Sequence, residues 1–277
     1  DMAALGISEM VDENMASAAR VHAIEIGASL SGRTMIAFGG AAPLHAARLA
    51  EKLDIDRVLI PTNAAVGSAV GFLRAPVAYQ VVRSAYQKIS CFNADSANEV
   101  LATMQSEALE VVRRGAPGAD TTEKRTAFMR YLGQGHEVAV ELPSRDWKSD
   151  DATFIRQAFE TAYEKTYGRI IANLDLELVS WAIEVSAVIN PPAPVGTVKE
   201  GPVPEPYASR RLLDANTGQY VEALAYRRCN LKPGSRVNGP AIIVEDDTST
   251  VVSPTFDATM NAQGYIVLER KNGELSS

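Results

Sequence analysis

The stretch from Met35 to Pro76 constrains the fold most strongly, because it sets a pair of glycines between an apolar run and a helical pattern. The apolar run ends at Gly39 and Gly40, and Pro43 then opens a segment whose apolar residues recur at helical spacing. A second apolar run, 57–61, leads into a helical pattern rich in small residues. This order predicts strand, tight turn, helix, strand and helix, which is typical of an α/β unit.

Two glycines at the end of a strand favour close approach of a ligand to the backbone. Without side chains, the amides of the turn and the N-terminus of the next helix are open to a nucleotide. The same glycines also predict a tight turn that only packs against a sheet. The pattern alone leaves both interpretations open.

The stretch also resembles known families. Its order of elements is similar to the adenosine-binding end of the actin, sugar-kinase and heat-shock ATPase superfamily. More closely, FGGAAPLHAARLAEKL resembles the FGGAGPLHA motif of the hydantoinase/oxoprolinase A-subunit family. That family includes ATP-dependent N-methylhydantoinases, 5-oxoprolinases and the ATP-using subunits of acetone and acetophenone carboxylases. Ala42 stands where the family usually has glycine.

The resemblance implies ATP as the cofactor and a wall of the adenosine pocket in this chain. The residues of that wall would be Gly39, Gly40, Ala41, Ala42, Pro43, Leu44, Asn63 and Ala64. The phosphate loops and the Mg²⁺ ligands are expected outside this chain, in the preceding half of such a molecule. That N-terminal half is therefore an implied partner.

Three further residues are candidate contacts. His45 falls on the first turn after the glycines, Asn14 lies in ENMASAAR, which resembles the family's NMARAIR, and Gln134 lies in RYLGQGHE, which resembles RYxGQxxE. The same positions can be explained without a ligand, with His45 as a packing residue, Asn14 on a solvated face and Gln134 in a turn. Both interpretations stay open. The residues point to no catalytic group.

The predicted fold class is α/β plus α+β. Residues 1–80 would form the C-terminal part of an actin-like ATPase domain, opening with an amphipathic helix over 7–29. Residues 81–190 have the order β-α-β-β-α-β, which predicts a ferredoxin-like unit. Six prolines in 191–206 predict an extended linker, and short alternating runs in 207–277 predict a small all-β unit. The stretch GPAIIVEDDTSTVVSP resembles GPAIVEQPDSTTVVPP of the family, so the resemblance extends to the C-terminus.

The helix predicted over 7–29 has one apolar stripe, as expected of an amphipathic helix with a packed face. The stripe consists of Ile7, Met10, Val11, Met15, Ala18, Val21 and Ile24.

Composition excludes some classes of partner. A net charge of −7 and a pI of about 5.1, without a basic cluster among aromatics, argue against nucleic acid. No apolar run reaches the ~18 residues of a membrane span, and the first residues are acidic, so a cytoplasmic protein without membrane contact is expected. The chain begins with Asp1, which suggests a piece of something larger.

Metal and thiol chemistry are weakly indicated. Cys91 and Cys229 lie far apart, so buried free thiols are expected rather than a disulfide, and the three histidines form no ligand cluster. Asp246, Asp247 and Thr248 suit either a cation site or a turn between strands, of which the turn is the simpler explanation.

Three hypotheses follow from the resemblance. The chain would be part of an ATP-dependent hydrolase that phosphorylates the carbonyl of a cyclic amide, a small-molecule substrate, and works with a companion B-type subunit. Alternatively, it would belong to an ATP-dependent ketone carboxylase of the same family. A third possibility is a non-catalytic assembly module. In each case the isolated chain is expected to be inactive.

Overall fold

The structure is a computed structural model that describes residues 2–190, 196, 198–199 and 201–271. The first half of the linker predicted over 191–206 lies mostly outside these residues. The chain forms two compact units, one of residues 1–74 with 193–277 and one of residues 75–192. In the described part of the chain, no helix combines the length and apolar character needed to cross a membrane.

The helices and strands of the described residues follow one another in chain order. They are α1 (Met2–Glu25), β1 (Thr34–Ile36), α2 (Ala42–Leu53), β2 (Arg57–Ile60), α3 (Gly67–Arg74), β3 (Ala78–Lys88), α4 (Ala94–Gly115), β4 (Thr121–Tyr131), β5 (Val138–Leu142), α5 (Ala152–Tyr167), β6 (Leu176–Ala187), β7 (Ala208–Asp214), β8 (Gln219–Arg227), β9 (Arg236–Asn238), β10 (Ala241–Val244), β11 (Ser249–Val252), β12 (Phe256–Met260) and β13 (Ile266–Arg270).

The first unit contains two sheets, with strand orders β1-β2-β13-β12-β9 and β11-β10-β8-β7. β1 and β2 are parallel, and β2 pairs antiparallel with β13, so that Ile60 lies opposite Ile266. Both isoleucines are buried. The structure therefore differs from the predicted separate all-β unit over 207–277. The last strand completes the sheet begun by the first segment, because β2 would otherwise leave its buried edge without hydrogen-bond partners.

α2 packs against this sheet through small residues. Pro43 occupies its first turn, where a missing N–H costs nothing. Ala46, Ala47 and Ala50 are almost fully buried, so the helix approaches its neighbours closely. The helix ends at Asp54, whose left-handed backbone lets its N–H reach the carbonyls of the last turn.

α1 is a helix as predicted, but its apolar stripe is not its packed face. Ile7, Met10 and Ile24 are 62%, 59% and 78% exposed, whereas Asp12 and Ala16 are 2% and 0% exposed. The buried face is made of short side chains because α1 lies against α2, and bulky residues would hold the two helices apart. The larger apolar residues consequently face solvent in this chain.

The second unit has the predicted order β-α-β-β-α-β, and its four-stranded sheet is antiparallel throughout. Its strand order is β3-β6-β4-β5, with the last strand inside and the first strand at an edge. A ferredoxin-like sheet has its first strand inside, so the ferredoxin-like prediction is wrong in this respect. Burial explains the difference, since β6 buries most of its residues whereas β3 exposes most of its own.

The core of the second unit is aromatic. Tyr131, Phe159 and Trp181 are fully buried, and the ring of Tyr131 meets that of Phe159 edge to face with 5.0 Å between centroids. β4 and β5 pair antiparallel as a hairpin about Gly133. Gly133 has φ +86°, a conformation that favours glycine.

Candidate functional site

The glycine turn at Gly39 and Gly40 is hydrogen-bonded to the second segment of the predicted adenosine wall, which contains Asn63 and Ala64. Gly39 has φ +117°, and its N–H donates to the carbonyl of Ala64 at 2.6 Å. The carbonyl of Gly40 accepts a hydrogen bond from the hydroxyl of Thr248 at 2.7 Å. Ala42 is the first residue of α2. Its backbone is helical, so this position does not require glycine. The turn is therefore held from both sides.

A left-handed bend at Asn63 directs the second segment toward the turn. Asn63 has φ 58°, and asparagine is one of the few residues other than glycine that adopt this conformation readily. A short 3₁₀ helix, Ala64–Val66, follows and leads into α3. The small residues of this segment have a steric role, since a Cβ on Gly67 would lie 3.0 Å from the ring of Phe38.

Two cavities meet at the Asn63 bend, and both are lined by Thr62, Asn63 and Ala64. The larger, of about 410 Å³, is closed by residues 227–233 and 244–248. The smaller, of about 260 Å³, is bordered by the half-exposed ring of Phe38 and by Arg74, Gly67 and Tyr265. Of the sequence-predicted site residues, Asn63 and Ala64 line these cavities, while Gly39 and Gly40 hold the bend in place.

Arg228 fixes the wall of the larger cavity. Its guanidinium is buried and donates to Glu245 at 2.8 Å and to the carbonyl of Gly264 at 2.8 Å. It also donates to the carbonyl of Pro61 at 3.3 Å. One side chain thus ties the end of β2 to two turns of the C-terminal segment. No local pattern in the sequence indicates this role, because Arg228 and Pro61 lie 167 residues apart along the chain.

The acidic stretch that follows is a turn. The N–H of Glu245 donates to the carbonyl of Thr248 at 2.9 Å, and the exposed residues Asp246 and Asp247 lie between them. The turn explanation is therefore confirmed by the backbone geometry. Among the described residues, no group of three or more His, Cys, Asp or Glu side chains is arranged to hold a metal ion.

Leu44 and His45 lie away from the Asn63 bend. They line a third cavity, of about 330 Å³, together with residues of α1. His45 Nδ1 lies 2.8 Å from Oδ1 of Asp12. Pro43, in the first turn of α2, is buried. The predicted wall is therefore divided between two places in the first unit.

Asn14 and Gln134 do not join either place. Asn14 is exposed on α1. Gln134 belongs to the second unit, where its amide donates to the hydroxyl of Tyr163 at 3.0 Å. The internal partner of Gln134 supports the folding explanation of that residue.

Ion pairs connect α1 with α2 beside the third cavity. Arg48 donates to both carboxylate oxygens of Glu9 at 2.7 Å and to Glu51 at 2.8 Å, while Lys52 lies 3.1 Å from Glu9. The hydrogen bonds from Arg48 lower the pKa of Glu9 to about 2, although partial burial acts in the opposite direction.

Comparison with known proteins decides the family. The family model described as hydantoinase/oxoprolinase matches residues 1–81, and the hydantoinase/oxoprolinase C-terminal domain matches residues 85–270. The chain belongs to the hydantoinase/oxoprolinase family. The resemblance found in the sequence is thereby confirmed.

Relatives of this hydantoinase/oxoprolinase chain include subunits of ATP-dependent enzymes. It is 26% identical to the caprolactamase subunit alpha of Pseudomonas jessenii over 267 residues, covering 94% of this chain and 38% of that one. It is 26% identical to the acetone carboxylase beta subunit of Xanthobacter autotrophicus over 283 residues, again covering 94% and 38%. The crystal structure of the ATP-dependent caprolactamase from Pseudomonas jessenii has a TM-score of 0.78 at 24% identity, over 98% of this chain and 40% of that one. The chain thus spans less than half the length of these relatives.

Proposed function

We propose that this chain is the C-terminal part of the ATP-using subunit of an enzyme that hydrolyses cyclic amides. Within it, the glycine turn and the Asn63 bend would form one wall of the adenosine pocket. The observation that carries the proposal is the bond between Gly39 and Ala64, which brings the two sequence-predicted segments together beside two cavities.

The larger cavity carries charges of both signs. Arg228 is neutralised by Glu245, whereas Asp246, Asp247 and Arg227 line the cavity without an ion pair to any described residue. Carboxylates accept hydrogen bonds from ribose hydroxyls but repel phosphates. The exposed ring of Phe38 at the smaller cavity offers a face on which a base can stack.

The proposed reaction requires little covalent chemistry from the residues of this chain. Phosphorylating the carbonyl oxygen of a cyclic amide turns a poor leaving group into a good one, so that water opens the ring. Phosphoryl transfer depends mainly on positioning and on neutralising charge. This chain would position the adenosine, while Mg²⁺ and the phosphate-binding groups would come from the preceding half of the subunit. A companion B-type subunit would take part in ring opening.

Exposed apolar residues support a role inside a larger assembly. The α1 stripe leaves Ile7, Met10 and Ile24 more than half exposed, and Phe72 and Leu73 on α3 are 86% and 88% exposed. Apolar surface of this extent on a protein is usually covered by a partner. The two relatives described above are a subunit alpha and a beta subunit, which fits this proposal.

A ketone carboxylase is the second candidate, because the identity to the acetone carboxylase beta subunit equals that to the caprolactamase subunit alpha. The two reactions differ in their co-substrate. ATP-dependent loss of a lactam without bicarbonate would support the hydrolase, and ATP-dependent loss of a ketone that requires bicarbonate would support the carboxylase. The assay needs the complete enzyme, purified with its companion subunit.

Calorimetric titration with ATP and ADP tests the adenosine wall in the full-length subunit. Asn63→Gly keeps the left-handed bend but removes the amide, and we expect a loss of affinity of about threefold to tenfold, as for one hydrogen bond. Gly40→Asp should abolish binding by adding bulk and charge at the turn, whereas Gly40→Ala serves as the matched control. Unchanged nucleotide affinity in both Asn63→Gly and Gly40→Asp would favour the assembly module instead.

A further inference from the structure

The third cavity is separate from the proposed nucleotide wall. It measures about 330 Å³ and is enclosed by α1, α2, the segment 212–215 and the segment 251–254, all of which belong to the first unit. None of its lining residues borders the two cavities at the Asn63 bend. Any ligand here would be recognised by a different set of groups.

Acidic groups outnumber basic groups around this cavity. Its acidic lining residues are Glu9, Asp12, Glu51 and Asp214. Its basic lining residues are Arg48 and His45, and Lys52 lies beside them, 3.1 Å from Glu9. The acids remain in excess even when His45 carries a proton. The cavity therefore attracts cations and repels anions.

Three of the four acids have a basic partner. Arg48 lies 2.7 Å from Glu9 and 2.8 Å from Glu51. The side chain of Asp12 is 3% exposed and lies 2.8 Å from Nδ1 of His45. These acidic side chains are paired within the chain, so a cationic ligand would have to compete with their existing partners.

Asp214 is the acid without a basic partner. The residue is 8% exposed, and within the part of the chain that the structure describes it forms no ion pair. Its two carboxylate oxygens accept hydrogen bonds from neutral groups, the N–H of Asn216 at 3.1 Å and the hydroxyl of Thr217 at 2.8 Å. Removing a carboxylate from water is costly unless a positive charge compensates it. A cation in the cavity would supply that charge.

Most of the remaining lining is apolar. The larger apolar side chains are those of Leu5, Leu44, Leu212, Leu213, Val251 and Pro254. These side chains offer no hydrogen bond to the water shell of a small inorganic ion, but they can cover an aliphatic chain. A cation that carries such a chain therefore uses both parts of the lining.

We propose that this cavity binds a primary ammonium group on an aliphatic chain, with Asp214 as its counter-ion. An ammonium group has three N–H donors, and each carboxylate oxygen of Asp214 has acceptor capacity left after its bond to a neutral donor. The aliphatic chain lies against the leucine side chains. A free alkylamine and the lysine side chain of a partner protein offer this same chemistry. The proposal is independent of the proposed adenosine wall.

Calorimetric titration of the 277-residue chain with n-pentylammonium chloride, at neutral pH and low salt, tests the proposal. Neutral 1-pentanol and anionic hexanoate carry the same pentyl chain and are the matched ligands. We expect saturable binding of pentylammonium and no binding of 1-pentanol or hexanoate at the same concentrations. Methylammonium should bind about fourfold more weakly for each buried methylene that it lacks.

Asp214→Asn tests the counter-ion. Asparagine keeps an oxygen for the N–H of Asn216, so the turn should survive, and we expect the loss of charge to weaken pentylammonium binding about tenfold or more. Glu99→Gln removes an equal charge from an exposed position on α4, in the second unit, and should leave the affinity unchanged. If Asp214→Asn does not fold, the comparison of pentylammonium with 1-pentanol still decides the matter.

The proposal is overturned if pentylammonium shows no saturable binding, if 1-pentanol or hexanoate binds as tightly, or if a folded Asp214→Asn binds pentylammonium like the wild type. Nα-acetyllysine methylamide, titrated in the same way, separates the two sources of the ammonium group. Binding as tight as that of pentylammonium would assign the cavity to a lysine side chain of a partner protein. Binding of pentylammonium alone would assign it to a free amine.

Discussion

Gly39 and Gly40 are neighbours with different backbone requirements. Gly39 has φ +117°, whereas Gly40 lies outside the left-handed region and has open space where a Cβ would stand. We expect Gly39→Ala to lower the free energy of unfolding by about 1–3 kcal/mol through backbone strain. Gly40→Ala should change it by less than about 0.5 kcal/mol. Urea unfolding of both variants measures the difference, and equal stabilities would show that the turn at Gly39 is not strained.

Glu9 should make folding of this chain sensitive to acid. Hydrogen bonds from Arg48 lower its pKa from the usual 4.5 to about 2, so its contribution to folding stability is present above pH 4.5 and is lost as the pH falls toward 2. We expect the wild type to lose about 1 kcal/mol more than Glu9→Gln over this range, a modest value because the pair is partly solvated. Unfolding of both proteins at stepwise lower pH measures it. Parallel pH profiles would contradict the expectation.

Individual residues of the site were predictable only where a local pattern marks them. The glycines end an apolar run and Asn63 precedes small residues, so both segments were found in the sequence. The hydrogen bond from Thr248 to Gly40 and the role of Arg228 were not found in the sequence. Thr248 lies 208 residues from Gly40 along the chain, and no periodicity links such distant positions.

α1 shows why a correct helix prediction does not identify the packed face. Periodicity indicated the stripe that contains Ile24, yet that residue is 78% exposed while Ala16 is fully buried. We therefore expect Ile24→Lys to leave the stability of the chain within about 0.5 kcal/mol. Ala16→Leu should cost about 1–3 kcal/mol, because the added bulk would push α1 away from α2. Thermal unfolding of the two variants provides the measurement, and the reverse ranking would mean that the stripe is the packed face after all.

Elements with strong local signals were predicted well. The first helix of the β-α-β-β-α-β order predicted over 81–190 is found as Ala94–Gly115, and its start is capped by Asn93, whose side chain accepts from the N–H of Ser96. Strand order was not predictable in the same way. The interior position of β6 depends on which strands bury both faces, and that is decided by packing across the whole sheet.

For the whole molecule, the pairing of β2 with β13 is the main departure from the sequence prediction. The sequence pattern of each strand identifies it as a strand, but neither pattern indicates which other strand it pairs with. The pairing has a consequence for the proposed adenosine wall. Residues 62–65 and the C-terminal segment together border the larger cavity, and truncation of the C-terminal segment would remove most of its lining.

The last prediction is that this chain alone does not hydrolyse ATP. Phosphoryl transfer requires Mg²⁺, a cradle for the phosphates and a positioned nucleophile around the γ-phosphate. The sequence has no glycine-rich loop with lysine of the Walker type, and the described residues supply only the proposed adenosine wall. Half of a site loses many of its contacts, and affinity falls about tenfold for each ~1.4 kcal/mol lost, so ATP should bind weakly.

Steady-state ATP turnover by the isolated 277 residues tests this expectation. Gly40→Asp, purified in the same way, controls for contaminating ATPases, because any activity that survives in it does not come from the proposed wall. We expect both proteins to show the same background rate. Turnover by the wild type that disappears in Gly40→Asp would mean that a complete active site lies within this chain. In that case the phosphate-binding groups would have to be sought among its own residues, and its assignment as one part of an ATP site would be withdrawn.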